Sequence, residues 1–235
     1  MLLSFDDRES DSPYIERVWR SRSTSGGPFL SMAEGNIEFV FTRLPGFQAV
    51  TLRGPVSRGA FVECPPNGEW LAIRLRLGTY LPRIPTTTLM DRHDIQLPLL
   101  PNRRFWFSGL VWELPSFDNA EGFVARLARA GVIARNRATD AALDGDVDWM
   151  SRRSVQRHFR RATGMTFTRY QQIERARHAA ALLTGGRSVL DVTFDAGYFD
   201  QAHLTRSMRQ LIGMTPARLA RERPQLSFLY KTATS

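Results

Sequence analysis

The sequence has a single cysteine, Cys64, and only four histidines in 235 residues. One cysteine excludes an intrachain disulfide, and with no histidine nearby in sequence it is more typical of a small buried or turn residue than of a nucleophile. In residues 1–119 the only histidine is His93, whereas metal sites usually cluster several such ligands. The sequence therefore predicts no metal site and no cofactor.

Long apolar runs and a targeting segment are missing as well. No stretch approaches the ~18 apolar residues of a membrane-spanning helix. The chain begins with MLLSFDDRES, which is too acidic and too polar for a signal peptide. We expect a soluble, cytoplasmic protein with no membrane partner.

The positive charge is concentrated in one half of the chain. Residues 1–119 contain 13 Lys and Arg and 13 Asp and Glu, whereas residues 120–235 contain 19 and 10, so the whole net charge of +9 lies in the second half. This asymmetry is typical of a nucleic-acid-binding half joined to a neutral half with another role.

One pattern of residues occurs twice, 49 positions apart. The equivalent positions include Ser151 and Asp200, Arg157 and Arg206, and the triplets 164–166 and 213–215. In each copy a side-chain oxygen, from Ser151 or Asp200, suits the N-cap of a helix, and a glycine suits its end. The sequence thus predicts a duplicated unit with helices over about residues 151–162 and 200–212.

Each of these helices is predicted to have an apolar side and a basic, polar side. The apolar residues recur at helical spacing and are Val155, Phe159 and Ala162 in the first copy and Leu204, Met208, Leu211 and Ile212 in the second. On the other side, arginine and glutamine can bind guanine and adenine in a major groove through paired hydrogen bonds, and His203 is expected to face out. For one such helix a solvated charged face is an equal alternative. The repetition in register favours nucleic acid.

The duplicated unit resembles the double helix-turn-helix domain of the AraC/XylS family of bacterial transcription regulators. The resemblance lies in residues 151–153, 155–157, 159 and 163–164 of the first copy and in residues 197–198, 200–201, 203–204, 206 and 213–216 of the second. It implies a non-enzymatic protein that binds double-stranded DNA sequence-specifically. The implied DNA contacts are Arg152, Arg153, Gln156, Arg157, Arg160, Gln201, His203, Thr205, Arg206 and Arg209.

The sequence leaves several partners and functions open. RNA polymerase, an unknown small-molecule effector and a second copy of the chain are further candidate partners. One competing function is an enzyme or small-molecule-binding protein fused to a DNA-binding module, although DNA-alkylation-responsive relatives need a cysteine cluster that one cysteine cannot supply. The other is a nonspecific nucleoid-type binder, which would have no use for the glutamine, threonine and histidine side chains among the arginines.

The neutral half has the pattern of short strands separated by turns rich in proline and glycine. Residues alternate over 37–41 and 71–77, and residues 49–52 follow a turn at Pro45-Gly46, so all three stretches are predicted strands. Residues 14–19 fit a strand or a short helix, and residues 1–13 are expected to be frayed. This pattern predicts a cupin-like antiparallel β-sandwich or barrel, and with the helical half an α+β fold. It is similar to an N-terminal sensor-like domain in some members of the same family, which names no ligand.

Other segments are predicted to link these parts. Residues 98–115 are aromatic and irregular, which favours packing between the halves or, second, an interface. A helix from residue 119 to 131 is the predicted connector, and a helix over 168–184, about 25 Å long, joins the two copies. Helices over 139–143 and 188–192 would support the two recognition helices. The predicted domains are 1–118 (sensor), 119–137 (connecting helix), 138–226 (double helix-turn-helix) and 227–235 (loose tail).

The first copy departs from the family in the turn before its second helix. Asp148 stands where the second copy has Gly197, within a run from 144 to 148 that carries three carboxylates. Carboxylates repel DNA phosphates. We therefore expect this turn to be distorted or longer, and the first unit to contribute less to DNA affinity than the second.

Overall fold

The computed structural model describes residues 3–92, 95–146 and 150–224. The predictions at His93, at Asp148 and for the tail of residues 227–235 lie outside the described residues. The chain forms an antiparallel β region followed by a helical region, which is the α+β fold predicted from the sequence. None of the helices in the described ranges is long and apolar enough to cross a membrane.

Alternating apolar and polar residues in the first half form β-strands. The strands are β1 Leu3–Glu9, β2 Ile15–Ser23, β3 Gly27–Ser31, β4 Glu38–Leu44, β5 Phe47–Arg53, β6 Ala60–Cys64, β7 Glu69–Leu75, β8 Thr79–Tyr80, β9 Ile95–Leu97, β10 Leu99–Leu100, β11 Arg104–Phe107, β12 Leu110–Glu113 and β13 Ala134–Arg135. Helices α1 Thr86–Leu89 and α2 Ala120–Arg129 lie among these strands.

Six of the strands form one antiparallel sheet in the order β1-β2-β7-β4-β5-β9. The three predicted strands are confirmed as β4, β5 and β7, and most of the undecided residues 14–19 belong to β2. The expectation that residues 1–13 are frayed is wrong for β1, which pairs with β2 along its whole length. Ion pairs across this edge, Asp7 with Arg17 and Asp6 with Arg20, hold a strand whose polar composition suggests a loose end.

The aromatic core of this region is built around Phe123 of α2. Its side chain is fully buried, and its ring lies edge-on to those of Phe39 and Trp112, with centroids 5.7 and 6.3 Å away. Phe105 and Phe107 reach the same core from the sheet β10-β11-β12. Residues 98–115 are therefore not irregular as predicted, because their alternate aromatic side chains line the inner face of a sheet. The predicted helix after residue 119 is confirmed as α2, which closes this core.

The second half is helical. Its helices are α3 Arg137–Asp144, α4 Arg152–Thr163, α5 Phe167–Thr184, α6 Val189–Asp195, α7 Gln201–Leu211 and α8 Pro216–Glu222. The helices predicted over 151–162 and 200–212 are confirmed as α4 and α7, those predicted over 139–143 and 188–192 as α3 and α6, and the joining helix as α5. That α4 and α7 are recognition helices stays a prediction.

Contacts group the chain into two compact units that differ from the predicted domains. One consists of residues Met1–Gly26, Gly35–Pro55 and Pro65–Phe167, and the other of Gly27–Glu34, Val56–Cys64 and Thr168–Ser235. The first helix-turn-helix unit thus groups with the six-stranded sheet, whereas α6 and α7 group with segments of the N-terminal half. The predicted boundaries, which follow the sequence resemblance, stay a prediction.

The N-terminal segments of the second unit form a small ribbon. Strands β3 and β6 pair antiparallel from Gly27 opposite Cys64 to Ser31 opposite Ala60, and a bridge between residues 34 and 56 continues the pairing. We call residues 27–34 and 56–64 the β3–β6 ribbon. Cys64 is buried in it, which agrees with its interpretation as a small buried residue.

Candidate nucleic-acid interface

The first candidate recognition helix, α4, is fixed at both ends by its own sequence. Ser151 is the N-cap as predicted, and its hydroxyl accepts a hydrogen bond from the Ser154 amide at 3.2 Å. Gly164 ends the helix with a φ of +76°, where a Cβ would meet the Thr86 carbonyl oxygen of α1 at 3.1 Å. The left-handed conformation and this close approach both favour glycine. The two ends of α4 are thus fixed by Ser151 and Gly164, which leaves the residues of its exposed face free for another role.

The apolar side of α4 is buried as predicted. Val155, Phe159 and Ala162 are buried, and α4 packs against α1, α3 and β8. The ring of Phe159 lies edge-on to that of Phe167, with centroids 5.1 Å apart. The polar side is left in solvent: Arg152, Arg153, Gln156, Arg157, Arg160 and Arg161 are exposed.

The second candidate recognition helix, α7, repeats this construction. Asp200 is the N-cap as predicted, and its carboxylate accepts a hydrogen bond from the His203 amide at 2.6 Å. Leu204, Met208 and Leu211 are buried along one side. The helix is therefore fixed by its buried apolar side and by its N-cap, while its opposite side is exposed to solvent.

The turn between α6 and α7 is held by α5. Gly197 has a φ of +68°, and its carbonyl oxygen accepts a hydrogen bond from Arg175 Nη1 at 3.3 Å. The Arg175 guanidinium also lies 4.8 Å from the centre of the Tyr198 ring, whose hydroxyl is 3.1 Å from Ser207 Oγ. Burial raises the pKa of the Tyr198 hydroxyl, so this side chain stays neutral. It therefore contacts α7 as an uncharged ring through Ser207.

The predicted contact residues of α7 differ in exposure. Gln201, Arg206 and Arg209 are exposed. Thr205 is half-buried, and the expectation that His203 faces out is wrong in part, because its half-buried ring lies edge-on to that of Tyr198 with centroids 5.1 Å apart. The histidine therefore has less freedom than the arginines on the same helix.

The sequence prediction missed Phe199, which is 88% exposed directly before the Asp200 N-cap. An apolar residue at this position commonly packs against the fourth residue of the helix, which here is Leu204. Since Leu204 is fully buried and Phe199 is exposed, that contact does not form. An aromatic side chain thus projects beside the N-terminus of a candidate recognition helix. Its position before the N-cap is the signal that could have identified it.

The arginines of α4 and α7 also differ from those on neighbouring segments of the helical half. Arg177, Arg187 and Arg218 form ion pairs with carboxylates of their own segments. By contrast, no described residue forms an ion pair with the exposed arginines of α4 and α7, which are Arg152, Arg153, Arg157, Arg160, Arg161, Arg206 and Arg209. Uncompensated cations on two exposed helix faces provide a surface that attracts polyanions.

A second candidate site lies on the inner face of the six-stranded sheet, where a cavity of about 750 Å³ opens to solvent. Its apolar wall includes Phe41, Leu71, Leu99 and Phe117. Its charged lining consists of Asp6 and Glu69 together with Arg20, Arg22, Arg43 and Arg103. The cavity therefore carries more positive than negative side chains next to an apolar surface.

Most of these cavity charges are paired. Arg20 Nη2 lies 2.6 Å from the Asp6 carboxylate, and Arg22 Nη2 lies 2.7 Å from that of Glu69, which also accepts a hydrogen bond from Arg43. The bond from Arg43 is the main cause that lowers the pKa of Glu69, so this carboxylate stays ionised. Arg103 is exposed and forms no ion pair with any residue in the described ranges.

Comparison with known proteins agrees with the geometry of the helical half. Residues 149–222, which include both α4 and α7, match a helix-turn-helix domain family. We call this matched segment the AraC-type domain, after the family that its residues resemble. Every residue predicted to contact DNA lies within the matched AraC-type range.

The AraC-type domain is similar to part of the HTH-type transcriptional regulator RipA of Corynebacterium glutamicum, at 32% identity over 92 residues. The alignment covers 38% of this chain and 28% of RipA, so the chain spans little more than a quarter of that relative.

The chain is also similar to solved structures of ToxT from Vibrio cholerae. One aligns with a TM-score of 0.41 at 9% identity and covers 94% of this chain and 98% of that chain. Another, of ToxT bound to (E)-4-(8-methylnaphthalen-1-yl)but-3-enoic acid, aligns with a TM-score of 0.44 at 9% identity and covers 94% and 99% of the two chains.

Proposed function

We propose that the protein is a sequence-specific transcription regulator that inserts α4 and α7 into successive major-groove segments of double-stranded DNA. The observation that carries the proposal is the duplicated helix with an anchored apolar side and an exposed side of arginines that form no ion pair within the described part of the chain. An arginine whose guanidinium has no carboxylate partner keeps its five N–H donors for guanine or phosphate.

The side chains around these arginines favour specific over nonspecific binding. Gln156 and Gln201 are exposed on the two helices and have the donor and acceptor pair that adenine requires. Phe199 adds an apolar surface that fits a thymine methyl group at the edge of the second site. A purely electrostatic binder needs none of these groups.

The spacing of the two helices is part of the proposal. Helix α5 has 18 residues, which corresponds to a length of ~27 Å. This length is comparable with one turn of DNA, ~34 Å. Two major-groove segments on one face of the duplex are therefore the proposed target, with RNA polymerase and a second copy of the chain as further proposed partners.

The cavity of the six-stranded sheet is the proposed effector site. Its excess of arginines and its apolar wall suit a small molecule with an anionic group and an apolar body. Because most cavity charges are already paired, Arg103 is the residue that we expect to bind the anionic group. In this proposal the N-terminal part senses the molecule, and the AraC-type domain binds the operator.

The DNA-binding proposal is tested by single substitutions at equivalent positions of the two copies. A preferred site would first be selected from random double-stranded DNA with the full-length protein. Arg157→Ala and Arg206→Ala should each weaken binding to that site by about 1–3 kcal/mol, or about 5- to 150-fold, and relax the base preference at one position. The two positions should lie in different halves of the site.

The matched control is Arg104→Ala, which removes an equal charge from an exposed position on β11. It should leave the base preference unchanged. If Arg157→Ala or Arg206→Ala weakened binding to random and selected DNA equally, that arginine would be a phosphate contact. Failure of the unmodified protein to select any sequence would favour the nonspecific alternative.

A further inference from the structure

The β3–β6 ribbon touches the second helix-turn-helix unit where α7 ends. The Ala33 amide donates a hydrogen bond to the Leu211 carbonyl oxygen at 2.8 Å, and the Gly59 amide donates one to the Gln210 carbonyl oxygen at 3.1 Å. Carbonyl groups in the last turn of a helix have no partner within the helix. The ribbon therefore supplies donors that the sequence of α7 cannot supply itself.

The approach is close enough to require glycine. A Cβ at Gly59 would lie 2.2 Å from the carbonyl carbon of Ile212 and 2.6 Å from the amide nitrogen of Gly213. No real Cβ tolerates such distances, and both neighbours are backbone atoms that cannot rotate away. Any side chain at position 59 must push the ribbon and the end of α7 apart.

Two further contacts fix the same part of the ribbon. Arg169 Nη2 of α5 donates to the Ser57 carbonyl oxygen at 2.7 Å. The Arg218 guanidinium of α8 lies 5.5 Å from the centre of the Phe61 ring on β6. The ribbon thus contacts three helices of its own unit, namely α5, the C-terminal end of α7, and α8.

The ribbon is also continuous in sequence with strands of the six-stranded sheet, which holds the proposed effector site. Along the chain, β3 lies between β2 and β4, and β6 lies between β5 and β7. Residues of β2, β4, β5 and β7 line the cavity. The covalent chain therefore joins the ribbon directly to these strands at both of its segments.

From these contacts we infer that the β3–β6 ribbon is a positioning element that sets the placement of α7 for DNA binding. The inference rests on the proposed function, and it assigns to the N-terminal half a part in operator recognition that its neutral charge does not indicate. Gly59 and Arg169 are its positioning residues, and neither needs to touch DNA.

The principal test is Gly59→Ala in the full-length protein, with nuclease footprinting on the selected DNA. The variant should lose protection over the half of the site bound by α7, keep protection over the half bound by α4, and bind the full site at least tenfold more weakly. Amide hydrogen exchange at residues 210–213 should become faster by a similar factor. Loss of only one half-site is a result that general unfolding would not give.

A second pair of variants covers the case in which Gly59→Ala does not fold. Arg169→Ala removes the hydrogen bond to Ser57 without a steric clash, and it should weaken the same half-site. Arg169→Lys keeps a cationic donor and should restore part of the footprint. The absence of any difference between these two variants and the unmodified protein would contradict the inference.

The matched control is Arg58→Ala. Arg58 is exposed and lies between the two anchored residues Ser57 and Gly59, and removing its side chain leaves the backbone contacts in place. It should leave both half-sites protected. If Arg58→Ala reproduced the loss at the α7 half-site, the ribbon would act by touching DNA, and the positioning role would be wrong. If Arg157→Ala and Arg206→Ala changed base preference but Gly59→Ala left a normal footprint, only the inference would fail.

Discussion

Glu121 ties the first strand of the chain to the helix that closes its core. Its carboxylate accepts hydrogen bonds from Arg8 Nη1 at 2.5 Å and Nη2 at 2.9 Å and from Ser10 Oγ at 2.8 Å. The bond from Arg8 is the largest cause that lowers the pKa of Glu121 from 4.5 to about 2. Since the folded-state pKa lies below that of the unfolded chain, the pair stabilises the fold above about pH 4.5, and this contribution is lost as the pH falls towards 2.

Glu121→Gln should therefore flatten the acid side of the stability profile. Because both side chains are about one-third exposed, solvent screening limits the effect to less than about 1 kcal/mol. Thermal unfolding between pH 6 and pH 2.5 measures it: the variant should be less stable at pH 6 and approach the unmodified protein at pH 2.5. Glu113→Gln, at an exposed carboxylate with no ion-pair partner among the described residues, should keep the original profile. Parallel profiles for all three proteins would contradict the assignment.

At the residue scale the sequence predicted the features that depend on helix chemistry alone. Ser151 and Asp200 are caps because a side-chain oxygen before a helix finds free amides wherever that helix packs. The exposure of His203 depends instead on Tyr198, whose ring position is set by Arg175 from another helix. No periodicity within α7 contains that information.

Among the elements, α2 shows how a segment can look like a linker and act as core. Phe123 is fully buried, and rings of both sheets surround it. Phe123→Ala should lower the free energy of unfolding of the N-terminal region by about 3–5 kcal/mol, whereas Phe123→Leu should cost less because most of the volume remains. Urea denaturation followed by tryptophan fluorescence would measure the difference.

The control for this prediction lies on the same helix. Arg126 is exposed, and Arg126→Ala should change the free energy of unfolding by no more than about 0.5 kcal/mol. Equal, small effects of Phe123→Ala and Arg126→Ala would show that α2 only connects the two halves.

The elements that the sequence predicted best are those with strong local periodicity. Strands β4 and β7 alternate, β5 follows a turn at Pro45-Gly46, and α4, α5 and α7 have well-defined caps or stripes. The β3–β6 ribbon was missed because its two strands are short, and because their partners in α7 lie far away in the chain. Likewise, β1 is held by ion pairs across an edge, which composition alone cannot reveal.

For the whole molecule, the proposed effector site predicts a ligand-dependent stability. A simple anionic amphiphile such as decanoate should raise the melting temperature, with a stabilisation of about 2.7 kcal/mol at one hundred times its Kd. Decanol has the same chain without the charge and should have little effect. Arg103→Ala should abolish the shift with decanoate, whereas Arg92→Ala, at an exposed arginine that does not line the cavity, should preserve it. Equal stabilisation by decanol would mean that the cavity has no preference for anions.

The β3–β6 ribbon also has a consequence for the order in which the protein folds during synthesis. The Ala33 amide binds the Leu211 carbonyl, which is made about 180 residues later, or about 10–35 s at ordinary translation rates. During that interval Leu30, Met32 and Ala33, all buried in the finished protein, have no helix to pack against. The ribbon therefore reaches its final place only after the last helices leave the ribosome. A nascent chain that stops early lacks α7 and also exposes the apolar residues of the ribbon that pack near its end.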